Sequence, residues 1–357
     1  MSTIYIRTLK RTDFTVFAVD KAQKTYWDPQ FKKYVPYSSG QQIKRSFIDK
    51  LNSALNELPS PTTFISKVKM KGSTLEFEGE GEVYGTCNPT HPDQLIGGWM
   101  KAEQGSRVYK RRSPLSISAM RALHPYLANV PEENITFDRK ERMNTQVIVK
   151  LKEGDNYREL SEEEIIQFLE NREKHTSLTS KFIQNQRRAT GLFIQDIAID
   201  LRRLFCVTLN QYEPEITEEI ERQLRENGWV ESTNVFGNCL VAPRELRIRI
   251  IPALAYSIIN WAITSNQSRT FSLMETLAIS ISDNANRIAG SIRAKLSEEE
   301  DEKAIPVIEE DLEGVRTFVT LSASGYVATR TENNAALDNA ERELIDLMRS
   351  FDYENQV

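Results

Sequence analysis

Four short stretches set hydroxyls, amides and cations where they could take hold of phosphate. In YSSGQQIKR (37–45), Ser38, Ser39 and Gly40 lead into a helical pattern, and Lys44 and Arg45 stand in its first turns. A helix N-terminus offers unpaired N–H groups and the positive end of the helix dipole, so anions bind there. The same residues also read as an ordinary N-cap followed by solvated bases. Neither GxxxxGK[ST] nor GxGxxG occurs here, so the stretch is not a nucleotide-binding loop of those kinds. RVYKRRSPLSIS (107–118) gathers Arg107, Lys110, Arg111 and Arg112 around Tyr109. A basic run with an aromatic in it suits backbone tracking and base stacking on a single strand, or else a basic surface loop. NQRRATG (185–191) adds Arg187 and Arg188, and NQSRTFS (266–272) adds Asn266, Gln267 and Arg269. Four such sites near element ends exceed what one phosphate needs and match what a tracked strand needs.

Other chemistry is poorly supplied. The three histidines and three cysteines are scattered; Cys87 and His91 in CNPTHPD have no second ligand pair at metal spacing. Asp20 and Asp28 flank the first loop and could hold a metal or activate a nucleophile, or simply cap a turn before Pro29. No metal, no cofactor and no catalytic residue is expected. An odd number of separated cysteines, no signal-peptide pattern and no apolar run of membrane length predict a reduced cytoplasmic setting without membrane association.

The formal net charge is -5, but it divides unevenly along the chain. Residues 151–175, 211–227, 297–313 and 331–357 hold 30 of the 51 acids and 9 of the 46 bases. The remaining 271 residues therefore carry 37 bases against 21 acids. A basic body among acidic segments is the electrostatic footprint of a polyanion partner.

These sites need elements to position them. Residues 2–9 and 13–19 read as one or two strands, followed by a polar, aromatic loop with Pro29 and Pro36 as breakers. Ile43, Phe47, Leu51 and Leu55 recur every four residues and predict a helix over 40–57. Within 64–190, strands are expected in TFISKVKM, STLEFEGEGEVYG and TQVIVKL, and a helix over 161–173 with Ser161 as its N-cap. TGLFIQDIAIDLRRLFCVTL (190–209) reads as a strand or strand pair. An acidic helical piece then leads to VESTNVFGNCLVAPRELRIR, a hairpin arm with Gly237 and Asn238 near its turn, in which Trp229 and Phe236 could wedge against bases or pack. A second helix is expected over 250–264, and strands over 272–282 and 314–329. With the insertions removed, the order is that of a split β-α-β sheet, an α+β plan of the ferredoxin-like kind.

SGQQIKR, opening the first helix after a strand and loop, resembles the Ser-x-Gln-x-Leu/Ile-Lys-Arg motif of the CRISPR Cascade backbone subunits: the seventh Cas family, DevR-like branch, RAMP superfamily. KRRSPLSISAMRALHPY resembles its Lys-Arg-x-Ser-Pro-Leu segment, IQDIAIDLRRLF the strand before its thumb, and NQSRTFSLMETLAIS the passage from second helix to strand. The resemblance implies a modified RNA-recognition palm (1–58, 190–209, 250–330), an inserted fingers region (59–189), a β-hairpin thumb (210–249) and an acidic C-terminal tail (331–357). It implies a non-catalytic subunit that polymerises along the spacer of a CRISPR RNA and presents it for target DNA pairing. The implied partners are the CRISPR RNA, target DNA, further copies of the chain and other Cascade subunits. By position, Ser39, Gly40, Gln41 or Gln42, Lys44 and Arg45 would contact the RNA backbone, with Lys110, Arg111 and Arg112 on the fingers side and Arg187, Arg188, Asn266, Gln267 and Arg269 as further contacts. Gly40 followed by two glutamines departs from the motif and leaves open which glutamine reaches RNA. A related reading takes WDPQFKKYVPYSSG as similar to the loop of type III backbone subunits, in which Asp20 would cleave target RNA. A third reading, a protein-interaction scaffold, expects no RNA on the purified protein.

Overall fold

The structure is a computed structural model and describes residues 1–17, 23–72, 74–79, 81–102, 106–138, 147–154, 156–170, 178, 180–263, 271–300 and 302–357. It is a mixed α/β chain with one large antiparallel sheet and, among the described residues, eight α-helices. The chain divides into two compact units, one of residues 1–130 and 189–357, the other of residues 131–188.

In the first unit, strand β1 (Thr3–Thr15) lies between the strands Ala189–Asp200 and Glu275–Ser282. Beyond Ala189–Asp200 come Met120–Ala122, β3 (Lys33–Ser38) and β2 (Thr25–Asp28); beyond Glu275–Ser282 comes Val315–Val319. Leu115–Ile117 and Ala128–Asn129 also pair with Ala189–Asp200. β1 is one strand, not two. A bulge after Thr12, with Phe14 at φ 42°, bends it without ending it.

The stretch 23–38 is a hairpin and not a loop. Pro36 is tolerated because the Tyr37 N–H bonds the Lys24 carbonyl at 3.1 Å, which turns the Pro36 nitrogen away from β2, and on its other side the pairing with Met120–Ala122 ends at Arg121–Tyr37. No donor is required of the proline there.

Both faces of the sheet are covered. On one, Ile4, Ile6, Phe193 and Ile197 pack with Ile43, Phe47 and Leu51 of helix α1 (Gly40–Leu55) and with Leu254 and Ile258 of the helix Arg244–Asn260. On the other, Leu9, Leu192 and Ile194 meet Ile292, Ile308 and Val319. Ala189–Asp200 is therefore apolar on both sides. A one-turn helix, Leu201–Leu204, then separates it from the strand Cys206–Thr208.

The second long helix starts six residues earlier than its apolar pattern suggests. Its first turns carry the exposed Arg244, Glu245 and Arg249, with Arg247 largely buried between them. Residues 331–357, expected as an acidic tail, contain the helix Ala336–Arg349. Its Ala336, Ala340, Leu344 and Met348 are buried at a spacing of four, a narrow stripe among charged neighbours.

The second unit, residues 131–188, pairs Glu132–Asp138 with Ser180–Arg187 and carries the hairpin Lys150–Glu153/Asn156–Glu159. Its helix spans Glu162–Glu170. Ser161 and Glu164 exchange backbone and side-chain hydrogen bonds in a capping box. No helix of the described residues is long and apolar enough to cross a membrane.

Candidate nucleic-acid interface

Ser39 is the N-cap of α1. Its backbone is extended (φ −69°, ψ 149°) and its hydroxyl accepts the Gln42 N–H at 3.4 Å. Gly40 follows at a close crossing: a Cβ there would lie 2.6 Å from the Ile117 carbonyl oxygen. Only glycine lets the helix start against that strand. Gln41 and Arg45 are exposed and Gln42 half-buried. Arg45 lies 4.0 Å from Asp49, one turn on, and both side chains are mostly in water, so the pair is weak and Arg45 stays available.

Lys44 differs from the mobile charge expected of it. Its Nζ donates to the Gly97 carbonyl at 2.6 Å, at the C-terminal end of helix α2 (Pro92–Gly97). Burial, then the charge of Arg111, lowers its pKa below the ordinary lysine value. Lysine at a helix C-terminus is favourable, and here it locks α1 to α2.

The basic run 107–112 is split by its own strand. Lys110 and Arg112 are exposed, whereas Arg111, at the end of Tyr109–Arg111, is 3% exposed. Its guanidinium donates to the carbonyls of Leu95, Arg203 (2.8 Å) and Cys206 (3.1 Å). It also stands 3.8 Å from the buried Glu215 carboxylate and 5.5 Å from the Trp99 ring centre. With its donors committed to the protein, Arg111 holds the wall in place and leaves phosphate to its neighbours. Burial pushes the Glu215 carboxyl up, opposed by Arg111 and by the Thr208 N–H at 2.9 Å.

Above this network lies a cleft of about 460 Å³ lined by Lys110, Arg112, Arg203, Thr208, Asn210, Tyr212 and Phe236, among others. Phe236 sits in the two-residue turn between Val230–Asn234 and Gly237–Val241 and is 38% exposed. The Arg203 guanidinium lies over its ring at 3.5 Å, with Arg202 at 5.2 Å. Tyr212 is 96% exposed. The cleft therefore has cations, a cation-backed aromatic face and amide and hydroxyl groups, which bind a single strand through phosphate and stacking, beside the exposed carboxylate of Glu213 and the buried Glu215 held by Arg111. Trp229 takes no part: it is 5% exposed, in the core with Leu224 and Leu240.

No family model matches the sequence, and no curated protein matches it. Among solved structures, a chain of a "CRISPR RNA-guided surveillance complex, pre-nicking" aligns at TM-score 0.48 and 9% identity. That alignment covers 96% of this chain and 100% of the other. A chain of a "CRISPR RNA-guided surveillance complex" aligns at 0.42 and 10% identity over 96% and 99% of the two chains. Likeness at this level assigns no role to any residue.

Arg187 and Arg188 belong to the second unit. Arg188 is 3% exposed with its Nε 2.8 Å from Glu133, and Arg187 is exposed and lies 3.5 Å from Glu132. Asp20, Asn266, Gln267 and Arg269 lie outside the described residues. Among the described residues, no three His, Cys, Asp or Glu side chains are placed to hold a metal ion. Sequence reading missed Arg203, Asn210 and Tyr212, which lie some hundred positions from Lys110. The hint available was Arg202–Arg203 at the end of a strand.

Proposed function

We propose that the chain is a non-catalytic, RNA-binding backbone subunit of a type I CRISPR surveillance (Cascade) complex. Copies of it would polymerise along the spacer of a CRISPR RNA and present it for pairing with target DNA. The observation that carries this reading is the SGQQIKR stretch. It opens the first helix directly after the β2–β3 hairpin, with Gln41 and Arg45 at the surface. The strand order Met120–Ala122, Ala189–Asp200, β1, Glu275–Ser282 supports it, since that is the 2-3-1-4 order of a β-α-β-β-α-β palm with α1 and Arg244–Asn260 as its two helices. In this reading, 131–188 belongs to the fingers, and 210–249 is a compact thumb that would reach a neighbouring copy through Val235 and Phe236, both exposed at its turn. Spacer sequences vary, so recognition falls on phosphates and base faces, which Arg45, Lys110, Arg112 and the Phe236 ring can provide.

The expected result is that the purified chain carries small RNA and binds RNA of any sequence with steep salt dependence. Arg45→Ala, Lys110→Ala and Arg112→Ala together should weaken binding alike on all sequences. The slope of log affinity against log salt should become shallower by about 0.7 for each phosphate no longer neutralised. Unchanged affinity in that triple variant would remove the cleft from the RNA path. Mg²⁺-dependent cutting of target RNA that vanishes in Asp20→Ala would replace the non-catalytic reading with the type III one.

A further inference from the structure

We propose that a second cleft, separate from the one lined by Lys110 and Phe236, binds a small organic carboxylate whose charged head is held by Lys10 and Trp261. The cleft lies where the strand Glu275–Ser282 begins and Val315–Val319 ends, beside the last turn of the helix Arg244–Asn260, and has a volume of about 600 Å³. Ligand sites are commonly of that size.

Two polar groups of its wall lack the partner that burial demands. Lys10 and Trp261 both line the cleft, and each is 1% exposed. The Lys10 Nζ donates to neutral oxygens, the Thr276 hydroxyl at 2.8 Å and the Met274 carbonyl at 3.5 Å. Among the described residues no carboxylate pairs with it. The Trp261 indole N–H is buried and has no acceptor among the described residues. The two groups are neighbours, with Nζ 4.8 Å from the Trp261 ring centre. A buried cation without a counter-ion and a buried donor without an acceptor both cost stability, and a carboxylate has an oxygen for each.

The rest of the wall indicates what carries that head. Ile259, Leu273, Leu321 and Leu337 line it, with Leu273 78% and Leu321 55% exposed, so an apolar body fits. Glu275 and Asp338 line it too, and their charges oppose a doubly charged phosphate, or a strand of phosphates, more than a single negative charge. The helix Ala336–Arg349 begins here, and its N-cap Ala335 supplies no side-chain cap, which adds the positive end of a helix dipole.

Burial pushes the Lys10 amine down to about 7. A carboxylate beside it favours the protonated form and raises that value. The other charged groups of the wall are the carboxylates Glu275 and Asp338, so Lys10 is the group that titrates toward the cleft above neutral pH. Binding at pH 8 therefore takes up a proton, and affinity falls above pH 7 by up to about tenfold per unit.

The site asks nothing of the RNA reading, since none of these residues was assigned to RNA. The test titrates the full chain with octanoate, with octan-1-ol as the uncharged body and acetate as the head alone. Calorimetry in buffers of different ionisation enthalpy reads proton uptake, and NMR reads the four indole N–H groups. The Trp261 resonance, assigned by its loss in Trp261→Phe, should shift saturably to lower field. Lys10→Met should bind octanoate about 10- to 150-fold more weakly, the equivalent of ~1.5–3 kcal/mol for a hydrogen bond to a charged group, and take up no proton. Leu273→Ser with Leu321→Ser, both at exposed positions, should weaken octanoate by about tenfold, as loss of roughly 55 Å² of apolar contact would, and keep the proton uptake. The Arg45/Lys110/Arg112 variant should bind octanoate as the native chain does, so this site and the RNA reading fail separately. The proposal is overturned if octanoate leaves the Trp261 resonance unmoved, if octan-1-ol or acetate binds as tightly, or if affinity is flat from pH 6 to pH 9. A Trp261 shift with protein concentration alone, and not with octanoate, would make the cleft a contact between copies and equally overturn it.

Discussion

The guanidinium of Arg111 makes its contacts inside the protein, while that of Arg112, one residue later, is turned to water. Neighbouring residues on a strand point to opposite faces, so a run of three bases cannot all meet one ligand. Replacing Arg111 with Met would leave Glu215 buried and uncompensated, a loss expected at about 3–5 kcal/mol and measured as a lower urea midpoint. Arg112→Ala should stay within about 0.5 kcal/mol of native stability and show its effect in RNA affinity. Equal stability losses in the two variants would mean that Arg111 does not anchor the wall. The kinds of side chain at this site were legible from sequence: lysines and arginines grouped with a tyrosine. Which of them faces water was not, because that depends on strand phase and on Glu215, a hundred positions away.

Strand β1 shows the same rule at the scale of an element. Its even-numbered residues Ile4, Ile6, Thr8, Lys10 and Thr12 face the helical layer, so Lys10 is buried with them. Its Nζ donates to the Thr276 hydroxyl at 2.8 Å and lies 4.8 Å from the Trp261 ring centre. Burial pushes the amine down to about 7. The unfolded chain holds this proton up to its ordinary value near 10.5. Between about 7 and 10.5 the unfolded state therefore binds more protons, and stability must rise with pH across that window. Denaturant midpoints taken from pH 7 to pH 9 should climb in the native chain and climb less in Lys10→Met; equal slopes would show that Lys10 is charged in the fold. The element itself was plain in the β-branched and aromatic run 2–9. The β2–β3 hairpin was not, since Pro29 and Pro36 punctuate it, and only the pairing pattern shows that no hydrogen bond is asked of Pro36.

At the scale of the whole molecule, the second unit enters and leaves through one pair of strands. Asn129 pairs with Thr190, and the Arg188 N–H bonds the Pro131 carbonyl at 2.9 Å. Replacing residues 131–188 with a two- or three-glycine turn should close Val130 to Ala189 as a hairpin and leave a cooperatively unfolding chain. Its urea m-value should fall with the surface removed. Loss of a single cooperative transition would show that the first unit depends on the second. Sequence alone determined the apolar helix over Ile43, Phe47, Leu51 and Leu55, four strands of the central sheet (β1, Ala189–Asp200, Glu275–Ser282 and Val315–Val319), and the excess of bases outside four acidic segments. These are local: period, propensity and charge need only neighbours along the chain. Tertiary structure decided that Lys44 and Arg111 turn inward, that the acidic end folds as a helix on the core, and that Arg203, Tyr212 and Phe236 join Lys110 and Arg112 at one cleft. Those outcomes depend on which faces meet, and a face meets its partner only after strands distant in sequence have paired.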